Sequence, residues 1–69
     1  MKTMAEMMVK AIRQFARENK DKDIRGIVPL EGSGSTATQW ELLTFGIEYI
    51  PKNDPESKYL ETEITVIAN

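Results

Sequence analysis

Sixty-nine residues with no cysteine and no histidine suffice for one hydrophobic core. They exclude a disulfide staple and a histidine-bearing zinc finger, so stability must come from tight packing or self-association. The net charge of −2 is too small to name a partner, but it is polarised: residues 1–25 carry seven basic and four acidic side chains, residues 26–69 two basic and seven acidic.

In chain order, "KTMAEMMVKAIRQFARENK" is the first element. Thr3 and Glu6 have the spacing of a capping box. At 100° per residue Met4, Ala5, Met7, Met8, Val9, Ala11, Ile12, Phe15 and Ala16 share one broad side, and Glu6, Lys10, Arg13 and Arg17 the other. This predicts an amphipathic helix over about 4–19, ended by Asn19 and the "KDKD" that follows. The methionines read as one wall of a small core rather than a deformable binding face. Lys10, Arg13 and Arg17 read as a solvated face. Their alternative reading is a basic contact face for nucleic acid, which the acidic remainder of the chain disfavours.

"DIRGIVPLE" predicts a strand over about 24–31, with Ile24, Val28 and Leu30 on one face and Ile27 on the reverse; Pro29 places it at a sheet edge. "TATQWELLTFGIEYI" predicts a long strand over about 38–50 with Leu43, Phe45, Ile47 and Tyr49 on one face, ended by Pro51. "PKNDPESK" is a turn-rich connection. "YLETEITVIAN" predicts a last strand over about 58–68, with Leu60, Ile64 and Val66 on one face and Tyr59, Glu61, Glu63, Thr65 and Ile67 on the other. The expected fold is α+β: an N-terminal amphipathic helix on one face of a three-stranded antiparallel β-meander, strand order 1-2-3.

Such a sheet is about as wide as one helix with its side chains, so the helix can shield one face and not both. The other face is expected to hold Trp40, Leu42, Ile50, Tyr59 and Ile67, with Ile27 as a further candidate, unless a bulge or twist turns some of them inward. The last strand has no proline or lysine after Lys58, leaving an edge open to pairing. Trp40, Leu42, Ile50, Tyr59, Glu61, Glu63, Thr65 and Ile67 are therefore the expected interaction residues. The expected partners are a second copy of the chain, giving a homodimer, and a second protein. Across a two-fold axis Glu61 and Glu63 could meet and repel their own copies, and the alternative to the homodimer is an unlike partner with basic residues there.

The loop "EGSGSTATQ" offers a candidate anion-binding or nucleotide-binding nest at Gly32, Ser33, Gly34, Ser35 and Thr36. It lacks the Gly-Lys-Ser/Thr ending of a P-loop, a following helix and the third glycine of a dinucleotide fingerprint, so it reads as a hairpin connection. With no histidine to activate a serine, no enzyme activity is expected. Asp21 with Asp23, and Asp54 with Glu56, lack EF-hand spacing, and Glu61 with Glu63 lack a sugar-sized cleft; neither a metal nor a cofactor is expected. Glu41, Glu48, Glu61 and Glu63 disfavour base stacking on Trp40, Phe45 or Tyr49. No apolar run is long enough to span a bilayer and no secretory h-region opens the chain, which with the missing cysteine favours a cytoplasmic setting. The chain therefore reads as a small non-enzymatic protein–protein interaction module, a homodimer acting as a regulator or inhibitor of a macromolecular partner. Anion or nucleotide binding at residues 32–38, and nucleic-acid binding by the basic helix face, are the alternatives.

Overall fold

The computed structural model describes residues 1–34 and 38–69. Its first element is helix α1, Met4–Glu18, started by the expected capping box. The Thr3 amide donates to the Glu6 carboxylate at 3.0 Å and the Glu6 amide to the Thr3 hydroxyl at 3.3 Å, so two orphan donors of the first turn are satisfied. Asn19 ends the helix. Its amide donates to the Phe15 carbonyl at 2.8 Å, and its side-chain amide reaches the same oxygen at 3.1 Å, closing the last turn without a glycine.

The hydrogen bond from the Thr3 amide, and then that from its hydroxyl, hold the Glu6 carboxyl below its ordinary pKa. A carboxyl whose pKa is lowered by folding contributes stability above its unfolded pKa and loses it as pH falls through the folded value. Wild-type stability is therefore expected to fall more steeply below about pH 4 than that of Glu6→Gln. Urea midpoints measured against pH check this, and parallel curves for the two proteins would contradict it.

Three strands follow: β1 (Lys22–Ser33), β2 (Leu42–Pro51) and β3 (Leu60–Ile67). They form one antiparallel sheet in the order β1-β2-β3, so the fold class read from the sequence is the one observed. Proline ends β2 and also sits within β1, an edge strand, where its missing amide does not break a central ladder. β1 departs from simple alternation. Its pairing with β2 shifts register between Ile24 and Gly26 and again between Pro29 and Glu31, so two extra residues are inserted and side-chain parity changes twice.

These bulges correct the expected faces of β1. Directly paired residues share a face. Ile27 pairs with Ile47 and packs against the core, rather than standing on the reverse side. Val28 pairs with Gly46 on the side away from the helix, and Leu30 lies over Gly46 beside it. Ile24, Val28 and Leu30 therefore do not form one stripe.

The core is a single layer between α1 and the sheet. Met7 and Ala11 of the helix meet Leu43 and Phe45 of β2 and Val66 and Ala68 at the end of β3, with Met4, Met8, Ile27, Trp40 and Ile64 around them. Phe15 meets Tyr49 toward the other end, ring centroids 5.5 Å apart. The molecule is slim, 41 × 19 × 14 Å with a radius of gyration of 12.8 Å, against roughly 11 Å expected for a compact chain of this length. Its accessible surface is 4725 Å², above the roughly 4,400 Å² expected at its mass. One helix on three strands leaves an uncovered sheet face.

Candidate interaction surface

The free edge of β3 is defined by its hydrogen-bond phase. The Ala68 amide donates to the Glu41 carbonyl at 2.9 Å, just beyond the paired residues Leu42 and Ile67. That makes Leu42–Ile67 a non-hydrogen-bonded pair, so the even-numbered residues of β3 bond to β2. Glu61, Glu63, Thr65 and Ile67 aim their backbone groups away from the sheet.

Ile67 is not left open. Its carbonyl accepts from the Lys10 ammonium, which also stands 3.5 Å from the Asn69 carbonyl. The lysine that the last strand lacks in sequence thus arrives from the helix and blunts one end of the edge. The outward amides and carbonyls of Glu61, Glu63 and Thr65 have no partner among the described residues.

The sheet face away from α1 is divided by chemistry. On the β1 side Val28 is 54% and Leu30 51% exposed. Toward β3 stand Glu48, Glu61 and Glu63, with Gly46 as floor, and together these side chains border a groove of about 460 Å³. Glu48 pairs directly with Glu61 in the non-hydrogen-bonded phase, where side chains are closest and like charges destabilise. No ion pair among the described residues reaches any of the three carboxylates. Beyond them the Thr44 and Thr65 hydroxyls share a hydrogen bond of 2.8 Å.

Of the expected interaction residues, Glu61, Glu63, Thr65 and Ile67 stand together on this face and edge. Leu42 is half-buried opposite Ile67, and Tyr59 is exposed just before β3. Trp40 and Ile50 leave the set. The Trp40 backbone exchanges hydrogen bonds of 3.0 and 2.7 Å with Lys2, tying the start of the helix to the sheet, and its ring packs against the core. Ile50 is 1% exposed, at the end of β2 opposite Asp23.

Lys10, Arg13 and Arg17 do border one hollow of about 560 Å³ on the helix, shared with Glu6 and Val9. Lys10 is already committed to Ile67.

Gly32, near the end of β1, and Gly34, just after it, have a packing reason. A Cβ on Gly32 would lie 2.4 Å from the Leu42 carbonyl oxygen, and one on Gly34 2.2 Å from that of Gln39. Ser33 accepts the Glu41 amide through its carbonyl at 2.8 Å. Ser35 and Thr36 lie outside the described residues.

Gly46 has no such reason. A Cβ there would meet Leu30 and Val28 at 3.4 to 3.6 Å, ordinary contact, and its φ is not positive. A glycine inside a strand costs roughly 0.5–1 kcal/mol relative to alanine. Val28, Leu30, Gly46 and Glu48 are the surface residues that the sequence pattern alone missed. A glycine within each of two strand patterns, at 26 and at 46, was the available signal for a bulge or a close approach.

Compared with protein-family models, curated proteins and solved structures, the chain matches none. Among the described residues no group of three or more histidines, cysteines or carboxylates is placed to hold a metal ion. Likewise, no buried side-chain nitrogen or oxygen lacks a hydrogen-bond partner there. No helix among the described residues is long and apolar enough to cross a membrane.

Proposed function

We propose that the chain is a small non-enzymatic protein–protein interaction module that works as a homodimer in the cytoplasm, regulating or inhibiting a macromolecular partner. The observation that carries this reading is the run of backbone groups at Glu61, Glu63 and Thr65, on an edge strand, that have no partner among the described residues. Such an edge gains a full ladder when a second strand is added.

Antiparallel pairing of two β3 edges joins the sheets into one of six strands, with both helices on the same face. A register that avoids directly opposed carboxylates sets Glu63 beside Thr65 of the partner subunit and Glu61 beside Ile67 of the partner subunit. That register needs the Ile67 carbonyl, so Lys10 must release it, and Lys10 acts as a brake on association.

Molecular mass measured from micromolar to millimolar concentration tests the reading. The wild-type chain is expected to pass from monomer to dimer. Glu63→Pro removes an outward amide without touching the β2–β3 ladder and is expected to stay monomeric, whereas Glu63→Gln keeps the amide and dimerises. Lys10→Met is expected to tighten the dimer about tenfold, the worth of one hydrogen bond from a charged group. A wild type that stays monomeric throughout, or a Glu63→Pro variant that dimerises like it, would overturn the edge-paired dimer.

A further inference from the structure

We infer that the groove over Gly46 receives a basic, amphipathic segment of an unlike protein, an inference that rests on the interaction-module reading and names the chemistry of its partner. Three features of the groove converge on that occupant. Gly46 is the centre of β2, yet neither its backbone conformation nor its neighbours require a glycine; with no side chain of its own it leaves the floor of the groove to the Val28 and Leu30 side chains, 3.4 to 3.6 Å from where a Cβ would stand. Glycine in a strand interior is found where another chain approaches closely. The wall beside it is apolar, because the bulge between Ile24 and Gly26 brings Val28 and Leu30 to the outer face, where each is about half exposed.

The opposite wall is the unneutralised trio Glu48, Glu61 and Glu63, two of them in direct cross-strand opposition. A segment that places alkyl groups on Val28 and Leu30 and ammonium or guanidinium groups on the trio satisfies both walls. It also relieves the repulsion between Glu48 and Glu61.

Other occupants fit less well. A nucleic acid would bring phosphates onto carboxylates. A second copy docking by its own outer face would do the same with its glutamates. The basic helix of a second copy carries suitable groups, but it lies on the opposite side of its own sheet from its groove, so that contact is head-to-tail and has no isologous closure. In the edge-paired dimer both grooves remain open, on the same face of the joined sheet.

A synthetic peptide alternating lysine and leucine is the probe. Its titration into the full chain is followed by the backbone amide resonances of Gly46, Glu48, Glu61 and Glu63. Saturable shifts centred on Gly46 are expected. Gly46→Val, which adds a branched side chain at the floor of the groove, and the combined Glu48→Gln, Glu61→Gln and Glu63→Gln variant are each expected to weaken binding by about tenfold or more. A lysine–serine peptide is expected to bind at least about tenfold more weakly, because it leaves the apolar wall wet.

Equal binding of the lysine–serine peptide would reduce the effect to charge attraction. Equal binding of a glutamate–leucine peptide would reduce it to stickiness. Shifts confined to α1, or indifference to Gly46→Val, would place the site elsewhere. Any of these outcomes overturns the inference. Mass measured in the same samples separates the two proposals: a peptide-binding monomer overturns only the dimer, and a dimer that ignores the peptide overturns only the groove.

Discussion

Phe45→Ala is expected to leave the chain unfolded at room temperature. Phe45 is 0% exposed and sits in the core cluster with Met7, Ala11, Leu43 and Val66. Removing a buried phenylalanine ring costs about 3–5 kcal/mol, part transfer and part cavity. A chain of this length has roughly 3–10 kcal/mol of total stability at the usual per-residue value. The slim shape and single-layer core put this protein toward the lower end of that range.

Urea unfolding followed by far-ultraviolet circular dichroism checks the expectation. Loss of the cooperative transition is the expected result. Leu30→Ala is the control, since Leu30 is comparably apolar but half exposed on the outer face, and its cost is expected to stay below about 1 kcal/mol. A Phe45→Ala protein that melts like the wild type would show that the core is not where the cluster of buried residues puts it.

The second large effect is expected at Gly32, where alanine should destabilise by about 1–3 kcal/mol. The added methyl would stand 2.4 Å from the Leu42 carbonyl oxygen and 2.6 Å from a Leu43 methyl. Backbone at the β1–β2 end must therefore move, and it carries the Ser33–Glu41 hydrogen bond with it. Gly46→Ala is the informative contrast. The atoms nearest its methyl, on Val28 and Leu30, stand at ordinary distance, so it is expected to be neutral or to stabilise by roughly 0.5–1 kcal/mol. Opposite signs at two strand glycines, read from urea midpoints, would separate a glycine the fold needs from one it does not. Equal costs at both positions would remove the physical basis for treating Gly46 as a glycine that the fold does not require.

Much of the fold is legible in the amino acids because its determinants are local. Thr3 and Glu6 are one helical turn apart, and Met7, Ala11 and Phe15 recur at helical spacing. Leu43, Phe45 and Ile47 alternate at strand spacing, and Pro51 stops the run. Each signal needs only a few neighbouring residues to be read. Helix, strands and meander order follow from them.

The candidate surface was legible only in part, for a physical reason visible at particular residues. The alternation of Glu61, Glu63, Thr65 and Ile67 correctly set them on one face, since nothing interrupts β3. In β1 the same rule failed, because the bulge between Ile24 and Gly26, arising in the pairing with β2, exchanges the faces of Ile27 and Val28. Trp40 is tied by backbone hydrogen bonds to Lys2, far away in the chain, and packs half-buried against the core, and the β3 edge acquired its guard from Lys10 across an even longer separation. By itself the sequence determined which segments become helix and strand and which side chains are apolar, since those properties reside in short stretches of chain. Tertiary structure alone decided which apolar groups face solvent and which edge groups stay unpaired, because register and long-range hydrogen bonds exist only once distant segments meet.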